Sequence, residues 1–193
     1  MESGVSMQSS NLTDFSAFLA RYRMVHDRHD GFSKGYRVNR LYGLDSLIRE
    51  NLTSKSVVCE IGSYAGISSS LFAHYCWHIV CIDPWLQNYD GHDDIEKIFD
   101  ETVSGFSNVT KIKGFSAPVS KNFADKLFDF VYVDADHSYE SAVEDIIAWT
   151  PKVATGGAIG GHDYDGAGVR QAVEERFGDS VKIYEDSSWY AKL

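Results

Sequence analysis

Carboxylates and imidazoles gather at the ends of two short apolar runs in this 193-residue chain. Asp134, Asp136 and His137 follow Phe128–Val133, and His162, Asp163 and Asp165 follow Ala158–Gly161. Such groups hold a divalent cation or carry a proton, and an imidazole changes charge near physiological pH. Helix capping is the competing explanation, through Asp136 or Ser138 ahead of a helix near Glu140 and Asp165 ahead of one near Gly168. Capping accounts for one or two of these residues and not for the whole set. Crowded carboxylates are costly unless protonated or paired with a cation, which favours a metal or acid/base role over structure alone.

Two further runs end in acids. In an open α/β sheet a ligand binds beyond the carboxyl ends of the strands, so these ends matter first. Glu60-x-Gly62-x-x-x-Gly66 lies between a strand-like run and a helical one, with Ser63, Tyr64 and Ser68 in the same segment. Its spacing is neither the Gly-x-Gly-x-x-Gly of a dinucleotide site nor the Gly-Lys-Ser/Thr of a phosphate loop. Glu60 is a poor neighbour for pyrophosphate and a good one for an ammonium or sulfonium. Asp83 closes Ile79–Ile82 about 20 residues later, the distance at which an acid reaches an adenosine ribose hydroxyl. Trp85 just beyond it offers an apolar wall for adenine, or is plain core. Gly114-Phe115-Ser116 is placed for the base edge, or is an ordinary turn. A third cluster, His26, Asp27, His29 and Asp30, reads as a solvated helix end.

These ends need elements to hold them. From Ser56 onward short apolar runs alternate with helical patterns: Val57–Ile61, a helix from Gly66, Ile79–Ile82, a helix near Asp93–Ser104, Val109–Ile112, Phe128–Val133, a helix near Glu140–Trp149, and Ala158–Gly161. The alternation predicts a parallel sheet with helices on both faces, and strands apolar almost throughout fit burial on both faces. A helix over Gly168–Phe177 precedes Val181–Tyr184, a turn at Glu185-Asp186-Ser187, and Ser188–Leu193, the last two strands forming an antiparallel hairpin. The expected fold is thus a doubly wound, Rossmann-like, mostly parallel seven-stranded sheet. Ahead of it, helices near Asp14–His26 and Arg40–Glu50 make residues 1–55 an N-terminal extension and substrate cover, with 56–193 the binding domain.

Composition bounds the partners. The apolar content of 44% and charged content of 24% are those of an ordinary globular domain. A formal net charge of −10 argues against nucleic acid, whose binding draws on Lys and Arg. No apolar stretch approaches the ~20 residues that span a bilayer, so a membrane partner is not expected. Cys59, Cys76 and Cys81 have no Cys-x-x-Cys spacing and suit a reducing cytoplasm, and the polar start at Met1–Asn11 shows no secretory signal. A small-molecule substrate is the expected partner, and a homo-oligomer is compatible with the sequence.

Glu60-Ile61-Gly62-Ser63-Tyr64-Ala65-Gly66-Ile67-Ser68 resembles the first motif of class I S-adenosylmethionine (SAM)-dependent methyltransferases, in the form with an aromatic in place of the middle glycine that metal-dependent O-methyltransferases carry. Phe128–Glu140, Gly156–Tyr164 and Gly168-Val169 are similar to the methyltransferase-24 domain family. The resemblance runs from about Ser56 to Phe177. It implies SAM as cofactor, held by Glu60, Gly62, Ser63, Tyr64, Gly66, Ser68, Asp83, Pro84, Trp85, Ser116 and Asp134. In the metal-dependent relatives the ligands are the first acid of the fourth-strand motif and an Asp-Asn pair after the fifth strand, positions matched by Asp134, His162 and Asp163. His162-Asp163 replaces Asp-Asn, a set that suits a softer divalent ion as well as magnesium or manganese, or no metal. A metal-free enzyme would use His162 or His137 as general base, His162 being preferred, with Asp134 beside them. The implied activity is O-methylation of a sugar or phenolic hydroxyl, in a pocket bounded by the N-terminal helices and the loops Gln87–His92 and Asp163–Gly168, with Tyr36, Tyr42, Trp85, Tyr89 and Tyr164 available. The rivals are a nucleotide-binding oxidoreductase on a similar sheet and a cofactor-binding module without catalysis.

Overall fold

The computed structural model describes residues 41–87 and 94–193. The expected helix near Asp14–His26, the cluster at His26–Asp30, Tyr36 and Tyr89 lie outside these residues. The described elements are α1 (Tyr42–Asn51), β1 (Val57–Ile61), α2 (Ile67–Tyr75), β2 (His78–Asp83), α3 (Ile95–Val103), β3 (Val109–Lys113), α4 (Ser116–Ser120), β4 (Phe128–Val133), α5 (Tyr139–Trp149), β5 (Val153–Gly161), α6 (Ala167–Phe177), β6 (Lys182–Ile183) and β7 (Trp189–Lys192). One seven-stranded sheet has the order β3-β2-β1-β4-β5-β7-β6. Strands β1 to β5 are parallel, and β7 runs antiparallel to both β5 and β6. The expected fold class is what the structure shows.

Two apolar clusters explain the layering. On one face Leu44, Leu47 and Ile48 of α1, Leu71 and Phe72 of α2 and Phe99 of α3 meet Val58, Cys81, Phe130 and Tyr132. On the other, Ile146 and Trp149 of α5 and Val173 of α6 meet Cys59, Ile61, Val131, Val133 and Ile159. Successive residues such as Val58 and Cys59 serve opposite faces, as the period-two pleat requires. Among the described residues no helix is long and apolar enough to cross a membrane.

Two elements differ from expectation. β5 begins at Val153, not Ala158, because residues 154–157 bulge opposite Asp129 between the pairs Phe128↔Val153 and Phe130↔Ala158. A Thr-Gly-Gly stretch reads as a turn although it only loops out of a continuing strand. The short α4 is the second, since Gly114-Phe115-Ser116 reads as a turn and a single helical turn leaves no periodic pattern.

α1 is fastened to the far end of the chain. Leu44 N donates to Asp186 Oδ2 at 2.7 Å, and Ser188 N to Asp186 Oδ1 at 2.9 Å. The carboxylate therefore satisfies an otherwise orphaned amide in the first turn of α1 and lies where the helix dipole favours it. Lys182 and Tyr184 of the hairpin reach Glu50 near the other end of α1. A Cβ at Gly43 would sit 1.9 Å from Asp186 Oδ1, so the clasp requires glycine. Alanine has the better helix propensity by about 1 kcal/mol, yet Gly43→Ala is expected to destabilise the protein by about 2 kcal/mol in urea unfolding. A stabilised variant would refute the clasp.

Candidate active site

The turn after β1 is threaded between its neighbours. Gly62 N donates to Ile82 O at 2.8 Å, and Asp134 N donates to Ile61 O at 2.8 Å. Gly62 has φ +85°, and a Cβ there would lie 2.0 Å from the Asp134 carbonyl oxygen. Only glycine permits both the conformation and the approach. The loop thus touches the backbone of the residue that opens the acidic cluster. Gly66 N donates to Ser63 O at 2.7 Å, closing the turn before α2.

Asp83 ties this loop to the next strand end. Its Oδ2 accepts from Tyr64 N at 2.9 Å and its Oδ1 from Trp85 N at 2.7 Å, while Trp85 Nε1 donates to Tyr64 O at 2.8 Å. Burial raises the Asp83 pKa, opposed by the two amides. Each carboxylate oxygen keeps a further lone pair for a ligand hydroxyl. Trp85 is only 5% exposed, its ring 4.7 Å from that of Phe99 with the Lys111 ammonium over it. Trp85 packs into the apolar cluster on this face of the sheet. Among the described residues the exposed apolar groups at this rim are Leu86 and Phe115, which follow the adjacent strands β2 and β3. Sequence reasoning passed over Leu86, since one apolar residue in a polar link carries no pattern.

Glu60 is fully buried beneath α2. Ser69 Oγ donates to Oε2, while Oε1 has no hydrogen-bond partner. Burial pushes its pKa up to about 7, with the hydroxyls of Ser68, Ser69 and Ser63 pulling the other way and the Asp134 charge adding to the rise. A carboxylate oxygen buried without a donor fits a site completed by a cationic or N–H-bearing ligand.

The second cluster assembles as expected at the carboxyl ends of adjacent β4 and β5. Asp163 Oδ2 lies 3.1 Å from both His162 Nδ1 and His137 Nε2, and His137 Nε2 is 3.7 Å from Asp134 Oδ1. Asp134, His162 and Asp163 each place a ligand atom within 4.8 Å of the others'. Asp163 has φ +56°, a conformation that costs on the order of 1 kcal/mol and turns its carboxylate between the two imidazoles. His162 is 9% exposed and its Nε2 lacks a partner. Burial would lower its pKa, but the Asp163 hydrogen bond and the charges of Asp134, Asp163 and Asp186 outweigh it, raising it to about 9. His137 is also raised, chiefly by Asp134. Asp136 stands outside the cluster: it is exposed and accepts from Ser138 N at 2.8 Å, while Ser138 caps α5 through Ser141 N. Asp165 is exposed, and α6 has no side-chain cap.

Ser116 does not stand alone. Its hydroxyl donates to Asp145 Oδ1 and accepts from Trp149 Nε1 at 2.8 Å. Asp145 was not singled out from the sequence, although an acid beside Ala142, Ile146 and Trp149 on the buried stripe of a helix was the available signal.

Residues 59–164, more than half of the chain, match the family model described as a methyltransferase domain, number 24 in its series, and the chain belongs to that family. It is accordingly a SAM-dependent methyltransferase. Solved structures share the fold. The cofactor-bound protein Rv0187 from MTB superposes with a TM-score of 0.67 at 16% identity, over 96% of this chain and 92% of that one. A Staphylococcus aureus protein provisionally named caffeoyl-CoA O-methyltransferase gives 0.61 at 16% identity, over 92% and 96%. A Streptococcus mutans protein provisionally named methyltransferase, in complex with SAH, gives 0.60 at 12% identity, over 78% and 96%. Among curated proteins none matches the chain.

The buried Glu60 makes a pH-dependent prediction. Its folded pKa of about 7 exceeds its ordinary 4.5, so protonation favours the folded state. This contribution is fully present below about 4.5 and is lost as pH rises through about 7. Glu60→Gln is expected to stabilise the ligand-free protein at pH 8 by about 3 kcal/mol at most, and to change nothing at pH 4. Equal effects at both pH values in thermal melts would contradict the assignment.

Proposed function

We propose that the enzyme transfers the SAM methyl group to a hydroxyl of a small molecule, a sugar or a phenol. The observation that carries this reading is the convergence of Asp134, His137, His162 and Asp163 beside a loop that Gly62 presses against Asp134. The provisional name of the Staphylococcus aureus neighbour, an O-methyltransferase, is consistent with it.

In this reading the loop from Gly62 to Gly66, with Ser63, Tyr64 and Ser68, takes the amino-acid end of the cofactor. Glu60 Oε1 supplies the acceptor for its ammonium. Asp83, oriented by Tyr64 N and Trp85 N, accepts from the ribose hydroxyls beside Pro84. Leu86 and Phe115 flank the base, whose edge meets Ser116. Asp134 stands where the cofactor loop and the acceptor side meet. Residues 1–55 act as substrate cover.

Transfer breaks the sulfonium–methyl bond and forms an oxygen–methyl bond, leaving SAH, so the hydroxyl proton must be removed. Asp134, His162 and Asp163 form a mixed carboxylate and imidazole set that fits a divalent ion, manganese or a softer ion as readily as magnesium. Such an ion would lower the pKa of the acceptor hydroxyl. With His162 among the residues that would hold the ion, the general-base role preferred for it from sequence falls, in the metal-dependent version, to His137, whose imidazole is half exposed at the cluster's mouth and 3.1 Å from Asp163. Asp163 orients both rings.

Manganese binding by calorimetry and single-turnover methyl transfer to a panel of phenols and sugars test the reading. Asp163→Ala is expected to weaken manganese binding by about a hundredfold. His137→Gln is expected to slow the chemical step about a hundredfold while leaving metal affinity within a few-fold. Turnover unaffected by exhaustive chelation would instead support the metal-free version with His162 as base. Methyl transfer to a nitrogen or carbon acceptor only would sink the hydroxyl assignment.

A further inference from the structure

The carboxylate of Asp145 is buried on α5 and no part of the transfer mechanism uses it. Its partner is the Ser116 hydroxyl, which gives its single hydrogen to Asp145 Oδ1 and receives one from Trp149 Nε1. A hydroxyl has one hydrogen and two lone pairs. With the hydrogen committed to Asp145 and one lone pair to the indole, Ser116 has a lone pair and nothing else for a ligand. The turn that carries it is joined to the Asp83 strand end, since Gly114 N donates to Asp83 O at 3.0 Å. Phe115, between Gly114 and Ser116 in the sequence, is 60% exposed.

We infer that Asp145 is a positioning residue that sets base specificity by holding the Ser116 hydroxyl as an obligate acceptor. This inference rests on the proposed placement of the cofactor base beside Ser116. An acceptor there pairs with an edge that donates a hydrogen, such as the 6-amino group of adenine, and rejects the 6-oxo group of hypoxanthine, which would face it lone pair to lone pair. A site built to bond one polar group discriminates strongly against an analogue that cannot reciprocate. Burial pushes the Asp145 pKa up to about 6, with the Ser116 hydrogen bond opposing and the nearby Glu144 and Asp136 adding to the rise. The carboxylate is therefore ionised at pH 7.5, the state that requires Ser116's hydrogen. Trp149, fully buried, keeps the hydroxyl from rotating away.

The test is calorimetric titration of the full chain at pH 7.5 with SAH and with S-inosylhomocysteine, its 6-oxo counterpart. The wild type should prefer SAH by about tenfold or more. Asp145→Ala frees the hydrogen of Ser116 and should bring the two affinities within about twofold. Asp145→Asn, whose amide oxygen still accepts that hydrogen, should retain most of the preference, which a merely structural role for the carboxylate does not explain. Equal binding of both ligands by the wild type, or an unchanged ratio in a folded Asp145→Ala, overturns the inference. If Asp145→Ala does not fold, Asp145→Asn and Ser116→Ala decide: preference kept by the first and lost by the second supports it, and the reverse overturns it. Asp83→Ala monitors the placement itself and should weaken both ligands alike. If it changes neither affinity, the placement of the ribose fails, separately from the ratio that reports Asp145.

Discussion

The close passage of the β1–α2 turn against the end of β4 governs the rest of the site. Gly62 has no room for a side chain because the Asp134 carbonyl lies where one would begin. That contact fixes the distance between the loop assigned to the donor and the carboxylate that opens the acceptor cluster. Register enforces it, since Ile61 pairs with Ile82 on one side and Val133 on the other. In-line transfer tolerates little error in the separation of donor and acceptor, and the spacing of this loop from Asp134 is set by backbone rather than by flexible side chains.

Much of this was legible in the sequence, for reasons that particular residues make plain. Buried parallel strands are apolar almost throughout, so Val57–Ile61, Ile79–Ile82 and Phe128–Val133 stood out, and topology then carries their ends to one rim. Asp134, His137, His162 and Asp163 could be grouped because each follows such a run. What stayed hidden depends on packing across the chain. Nothing near Trp85 says that Phe99 and Lys111 enclose it, and nothing near Ser116 says that Asp145, on the next helix of the same face, takes its hydrogen. The extension of β5 back to Val153 was masked by glycines that local rules assign to turns.

Polar groups on this rim are placed against the interests of stability. Glu60 is desolvated without a full set of donors, and His162 is buried with its Nε2 unpaired. Tyr64, Trp85 and Asp163 all adopt positive φ at strand ends. Each is a local cost that the apolar clusters on the two faces of the sheet must offset. The strain and the unpaired groups coincide with the positions assigned to chemistry, which is the pattern expected when geometry at a site matters more than its own stability.

The clasp between α1 and Asp186 has a consequence for the order of assembly. Leu44 and Asp186 are 142 residues apart, so this contact closes nearly the whole described chain. Loop-closure entropy makes it among the most expensive contacts to form before the sheet exists. It belongs to the late steps of folding, after the parallel strands have brought the hairpin into place. Lesions at Gly43 or Asp186 therefore act mainly on the lifetime of the native state, hastening unfolding while leaving the rate of folding almost untouched.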